Sequence, residues 1–217
     1  MRLLVVSDIH GNAAALGRCA DDAAAADLVL CIGDLTHFGD VPAARKVLAA
    51  LRELHPNVRT VAGNCDNLDI ESYLREEGVL LTTEPEEFQG VQLAGMSGAL
   101  PGPVTTPYEI SEQEISATLA QLSKSGEQPL VLVSHQPPFG TVADRAMKMK
   151  HVGSRSLAEW ISVNAPLLVL SGHIHESYGH KLSGPTHVIN SGAFKDGRYG
   201  LIDVDPDRHE VSAELRS

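Results

Sequence analysis

Aromatic residues are scarce in this chain of 217 residues: Phe, Trp and Tyr together make up 4%, with a single Trp. A core must therefore be built from Val, Leu, Ile and Ala, which pack well between sheets and helices. Cysteine is sparse too. Cys19, Cys31 and Cys65 are odd in number and widely spaced, which argues against a disulfide framework and a zinc ribbon and for a reducing, cytoplasmic setting. Basic residues are outnumbered, 17 Lys and Arg against 28 Asp and Glu, for a formal net charge of -11. That balance repels polyanions and excludes general nucleic-acid binding through a basic face. No apolar run approaches a membrane span, and the first, Leu3 to Val6, is too short for a signal-peptide core. What remains is a globular composition, 43% hydrophobic and 21% charged, with 10 histidines whose placement matters more than their number.

Apolar runs bounded by turn residues recur at Leu3 to Val6, Leu28 to Ile32, Val58 to Ala62, Val91 to Ala94, Leu130 to Val133 and Leu167 to Leu170. Such continuous runs predict strands buried on both faces. Ala13 to Ala26 and Val41 to His55 have helical length and composition, with Asn12 and Asp40 as N-cap candidates. Strand and helix alternate, so parallel strands joined by helical crossovers are expected. Glu109 to Ser123 and the region around Leu157 to Ile161 also read as helix. Ser97 to Pro107, rich in Gly, Pro and Thr, reads either as an ordered loop near a site or as a flexible excursion. Toward the end, His187 to Asn190, Gly200 to Val204 and Val211 to Leu215 read as antiparallel strands. No linker composition divides the chain, and one domain over residues 1–217 is expected.

Five polar motifs stand just past five of these strands: Asp8-Ile9-His10, Gly33-Asp34, Gly63-Asn64, Ser134-His135 and Gly172-His173-Ile174-His175. In open α/β sheets the carboxyl ends of strands gather ligand-binding loops, so seven metal-capable side chains are expected to converge on one rim. Each motif taken singly suits a turn, a cap or a hydrogen-bonded core histidine. With 19 Gly and 10 His, however, Gly-His-x-His is expected by chance only ~0.04 times. Asp, Asn and His also mix the oxygen and imidazole donors that Mn, Fe, Zn and Ni accept.

The ordered set Asp-x-His, Gly-Asp, Gly-Asn, His, Gly-His-x-His resembles the calcineurin-like metallophosphoesterases from Arg2 to about Val204. Gly33 to Gly39 and Gly63-Asn64-Cys65-Asp66 look most like the small prokaryotic phosphodiesterase branch. The resemblance implies an α/β fold, a four-layer α-β-β-α sandwich with mixed sheets. It implies two divalent transition-metal ions, manganese first, with iron, zinc or nickel as alternatives. By matching position Asp8, His10 and His175 would hold one ion, Asn64, His135 and His173 the other, and Asp34 would bridge them.

Two such ions bring a charge of +4 against two anionic ligands, Asp8 and Asp34, so the site keeps about +2 and attracts anions despite the acidic chain. A water between ions roughly 3.5–4 Å apart would lose its proton near neutral pH and attack phosphorus in line. Adding hydroxide and a monoanionic diester brings the total to zero, which favours a phosphodiesterase acting on small phosphate esters. Asp34, Asn64 and Asp66 are the expected catalytic residues, with Asn64 also expected to contact substrate. One departure bears on mechanism. Many members of that family have His directly after the Asn, where this chain has Cys65, and a thiol of pKa about 8.5 is a poor proton donor beside imidazole. Asp66 and His37 are candidates to compensate, and Arg145 and His151 are candidates to line the substrate pocket. The rival readings are a non-catalytic interaction scaffold on the same fold, and a phosphomonoesterase or nucleotide pyrophosphohydrolase. Oligomeric state has no signature in the chain.

Overall fold

The computed structural model describes residues 1–122, 128–146 and 150–217. In chain order the elements are β1 (Arg2–Val6), a 3₁₀ segment (Ala13–Cys19), α1 (Ala20–Ala24), β2 (Leu28–Ile32), α2 (Val41–Leu54), β3 (Val58–Val61), α3 (Leu68–Glu76), β4 (Glu86–Phe88) and β5 (Val91–Met96). They continue with α4 (Glu112–Gln121), β6 (Leu130–Ser134), β7 (Arg145–Ala146), β8 (Lys150–His151), α5 (Arg155–Asn164), β9 (Leu168–Ser171), β10 (Gly179–Ser183), β11 (Thr186–Asn190), β12 (Tyr199–Asp205) and β13 (Glu210–Arg216).

Two mixed sheets result, ordered β13-β12-β1-β2-β3 and β10-β11-β9-β6-β5-β4. Side chains alternate across each strand, so a continuous apolar run feeds two cores at once. Leu3, Val5, Leu28, Leu30 and Ile32 of the first sheet meet Val91, Leu93, Val131, Val133, Leu168 and Leu170 of the second between the sheets. Their neighbours Leu4, Val6, Val29 and Cys31 point outward onto Val47, Leu48 and Leu51 of α2 and Ile70 and Leu74 of α3. On the far side Ala94, Met96, Leu132 and Val169 pack on Ile115 and Leu119 of α4 and Leu157 and Ile161 of α5. The layering is helix, sheet, sheet, helix, the expected four-layer sandwich.

Register fixes where the strands end. β1, β2 and β3 run parallel with Val6 opposite Cys31 and Ile32 opposite Val61. In the other sheet β6 and β9 run parallel with Ser134 opposite Ser171. All five donor motifs leave these strands at their carboxyl ends.

Local chemistry explains most elements and one correction. Asp40 caps α2 as expected, its side chain accepting from Ala43 N at 3.0 Å. Ala13 to Ala26 is not one α-helix: it begins as 3₁₀ turns to Cys19 and is α-helical only from Ala20 to Ala24, and Asn12 makes no side-chain cap. Without that cap, and with Gly17 mid-segment, the α form loses its start signal and part of its propensity. α3 was not expected. Its signal is Asn67, whose Oδ1 accepts from Ile70 N at 2.9 Å, followed by buried Ile70, Tyr73 and Leu74 at helical spacing. The edge strands β4 and β10 and the β7–β8 ribbon were also not foreseen. The predicted helix Glu109 to Ser123 is realised as α4; its last predicted residue, Ser123, lies outside the described residues. Residues 97–107 take the ordered alternative, tied by Ala62 N to Ser97 Oγ (3.0 Å) and by Leu100 N to Gln136 Oε1 (2.9 Å).

Candidate metal centre

Donors from both sheets meet at the rim. His175 Nε2 lies 3.1 Å from Asp8 Oδ1 and 3.3 Å from His10 Nε2. His10 Nε2 lies 3.7 Å from Asp34 Oδ2, and His135 Nε2 lies 3.5 Å from Asp34 Oδ1 and 3.0 Å from Asn64 Oδ1. The His173 ring stands 5.2 Å from that of His135. Three sets of potential ligand atoms are close enough to share an ion: Asp8 with His10 and His175, Asp8 with Asp34 and His135, and His10 with His37 and Cys65. All seven expected donors are thus brought together, with Asp34 between the two halves.

The backbone is bent to do this. Asp8, His10, Asp34 and His173 all have left-handed φ, between 49° and 66°, a conformation that costs a non-glycine residue about 1–3 kcal/mol. Bonds between the loops hold it. Asp8 N donates to Gly33 O and His10 N to Asp34 O at 3.1 and 3.0 Å, while Phe194 N donates to Ser7 O at 2.7 Å. Ser7 Oγ donates to Asp8 Oδ2 at 2.5 Å and His173 N to the same oxygen at 3.2 Å. Close approach also requires Gly63, because a Cβ there would run into Asp34 Oδ1.

The polar balance fits cations. Asp8, Asp34 and Asp66 are buried at 1%, 2% and 0% exposure. Among the described residues, the ion pairs of Asp8 and Asp34 are all with histidines. Burial, with Asp8 and Asp66 nearby, pushes the Asp34 carboxyl up to about 7, the response of a buried anion short of positive charge. Burial also pushes His10 down to about 4 and His173 down to about 3, so both imidazoles are neutral and carry a lone pair at neutral pH. Burial opposes charge on His175 as well, but the Asp8 carboxylate outweighs it and raises that group. His135 Nδ1 donates to the Ile32 carbonyl at 2.7 Å, which leaves Nε2 as a lone pair facing the oxygens of Asn64 and Asp34. Carboxylate and amide oxygens converging with imidazole nitrogens, and a His10 Nδ1 buried without a partner among the described residues, are a ligand set suited to hard-to-borderline divalent ions.

Other expected residues divide. His37 and Cys65 line an open cavity of about 560 Å³ together with His10, Asp34, Asn64, His173, His175 and Lys195. Burial, followed by the charge of Asp34, pushes the Cys65 thiol far up, so it holds its proton and cannot replace an acidic imidazole. Asp66 does not reach the cavity. Its two oxygens accept from Leu35 N, Thr36 N, Thr36 Oγ1 and Gly63 N at 2.9–3.1 Å, which braces the loops after β2 and β3. Arg145 and His151 are not brought to the centre either. They pair across the β7–β8 ribbon, where the buried Asp144 carboxylate claims His151 Nδ1 at 2.6 Å and Arg145 turns to solvent. Lys195, Asn190 and Ser7 were missed. Asn190 Nδ2 donates to the carbonyls of Gly172 and Ile174 and so shapes the last donor loop. Lys195 follows β11, which is antiparallel to β10 as expected but parallel to β9, contrary to the all-antiparallel expectation, so its carboxyl end falls at this rim.

Comparison with known proteins agrees with this geometry. Residues 1–177 match the model of the calcineurin-like phosphoesterase family. The chain is 32% identical over 194 residues to "Uncharacterized protein MJ1162" of Methanocaldococcus jannaschii, covering 88% of this chain and 87% of that protein. Among solved structures, TT1561 of Thermus thermophilus is similar with a TM-score of 0.74 at 22% identity, over 98% of this chain and 97% of the other. A structure described as a novel archaeal phosphodiesterase has a TM-score of 0.53 at 13% identity, over 99% of both chains. At such identities these two likenesses speak to the fold alone. The family match, by contrast, runs through every one of the seven donors, and it is on that span that the protein belongs to the calcineurin-like phosphoesterase family.

Proposed function

We propose that the protein is a phosphodiesterase working with two divalent ions, the first held by Asp8, His10 and His175, the second by Asn64, His135 and His173, with Asp34 shared. The observation that carries this reading is the cluster of buried carboxylates and imidazoles at one rim, with no Lys or Arg paired to Asp8 or Asp34 among the described residues. Such a cluster needs external positive charge. When bound, the ions would supply Lewis acidity toward a phosphoryl oxygen and a water acidic enough to serve as nucleophile near neutral pH.

The chain's own groups do the rest. Ser7 and the His173 amide hold Asp8 Oδ2, leaving Oδ1 turned to the histidines. Cys65 N, donating at 2.8 Å, orients Asp34 Oδ1. The Ile32 carbonyl fixes the tautomer of His135. His37, exposed on the cavity wall with its ring 5.1 Å from that of His10, is placed to contact a phosphate oxygen or the leaving group. With the thiol of Cys65 firmly protonated and Asp66 enclosed, no strong proton donor of theirs reaches the leaving group, so activated diesters are favoured over poor leaving groups. The charge count points the same way, since two ions, two carboxylates, hydroxide and a monoanionic diester sum to zero. Manganese is the first ion to try. The three cysteines are free and buried, in keeping with a reducing cytoplasmic setting.

Asp34→Ala is the direct test. Because Asp34 would serve both ions, the variant is expected to lose metal content and diester hydrolysis together, measured by elemental analysis and by turnover of an aryl diester. Full activity in a folded variant, or a monoester-only profile in the wild-type protein, would reverse the proposal. A scaffold would bind its partner with Asp34 removed and hydrolyse nothing with Mn, Ni, Fe or Zn.

A further inference from the structure

A second cavity, of about 640 Å³, adjoins the first, and Asn64 and His173 line both. The stretch 100–106 contributes Leu100, Pro101, Pro103 and Val104 to its lining, and Val152 and Ile174 add further apolar surface. The wall is built rather than loose. Leu100 N donates to Gln136 Oε1, Thr106 N donates to Glu109 Oε1 at 2.8 Å, and Ala99 bridges Glu109.

The polar side chains on this wall are already committed. Gln136 accepts from Leu100 N and directs its amide to the carbonyls of Pro137 and Val152, and Thr106 Oγ1 donates to Glu109. Lys150 is the one formally charged group among the described lining residues. The surface therefore offers hydrocarbon contact and little hydrogen-bond readout. Val104 is 67% exposed, although most large aliphatic residues of the chain are buried, so this apolar surface stands open next to two of the proposed metal ligands.

We infer that this cavity receives an aromatic or similarly apolar arm of the phosphate ester, selected by burial and not by hydrogen bonding. The inference rests on the phosphoesterase reading above, since it seats the phosphate beside Asn64 and His173. The substrate class narrows accordingly, to esters in which at least one substituent is a ring-sized apolar group, over short polar alcohols and inorganic phosphate.

Non-hydrolysable phosphonates separate this from turnover. By calorimetry on the full, manganese-loaded protein, phenylphosphonate is expected to bind about tenfold or more tightly than methylphosphonate, from the apolar area a ring would bury. Pro103→Asn combined with Val104→Asn, both exposed positions, is expected to erase most of that ratio and to leave methylphosphonate affinity in place. Equal affinities in the wild-type protein, or a ratio untouched by the double substitution, would overturn the inference. Turnover of bis(p-nitrophenyl) phosphate, run in parallel, keeps the two ideas apart. Hydrolysis without a phenyl preference sinks the cavity assignment alone, and a phenyl preference without hydrolysis supports the cavity and sinks the phosphoesterase reading.

Discussion

Asp66→Asn distinguishes a proton donor from a brace. In the wild-type protein Asp66 Oδ2 accepts from Leu35 N (3.1 Å) and Gly63 N (3.0 Å), and Oδ1 accepts from Thr36 N and Thr36 Oγ1, both at 2.9 Å. An Asn can keep one oxygen and one of these pairs. Its amide must then face the other pair; even where that pair is Thr36 N and Thr36 Oγ1, whose hydroxyl can turn to accept, Thr36 N and one amide N–H are left as buried donors without an acceptor. Leaving a buried donor unsatisfied costs about 1–3 kcal/mol, and two such losses bring the expected destabilisation to about 3 kcal/mol. In a chain of this size 1 kcal/mol moves Tm by about 2–4 °C, so a drop of about 6–12 °C is expected by circular dichroism at neutral pH. Gly63 and Leu35 adjoin Asn64 and Asp34, so manganese affinity should fall with stability. If Tm and metal content are unchanged while turnover collapses, Asp66 acts on protons at the substrate and the bracing argument is wrong.

The remaining expectations can be stated briefly. Gly63→Ala places a methyl where Asp34 Oδ1 now sits, so metal content should fall even in a variant that still folds; full occupancy by elemental analysis would contradict the close packing described. Glu112 of α4 accepts from Ser154 Oγ, Arg155 N and Ser156 N at the start of α5. Burial alone would raise its pKa, but these bonds outweigh burial and lower it. A lowered folded pKa gives stability that is present above the unfolded value, about 4.3, and is lost as pH falls through the folded one. Glu112→Gln should therefore cost about 1–2 kcal/mol at neutral pH and nothing below the folded pKa. A stability difference that survives at pH 2 would show that the cap is not electrostatic.

Much of the centre was legible along the chain because its donors obey a topological rule. Each follows an apolar run, and in parallel sheets in register such runs end at one rim. The strand Leu28 to Ile32, the motif Gly33-Asp34 and the helix capped by Asp40 can be read in that order from local chemistry alone. α3 was equally local, and Asn67 with Ile70, Tyr73 and Leu74 carried it. The 3₁₀ opening at Ala13 was not, since alanine suits either helix and the absence of a cap bond shows only in three dimensions.

Residue type and spacing determined the alternation of strand and helix, the seven donors and the family they mark, because burial periodicity and strand-end chemistry act over a few residues. Tertiary contacts decided the rest. Asp66 is a brace and not a cavity group because four donors from three residues surround it. Arg145 and His151 belong to a surface ribbon because Asp144 reaches His151 first. Lys195 and the apolar wall at Leu100 to Val104 adjoin the centre only through the packing of two sheets. The left-handed turns at Asp8, His10, Asp34 and His173 persist because neighbouring loops supply the bonds that hold them, and no local propensity encodes energy that arrives from residues distant in the chain.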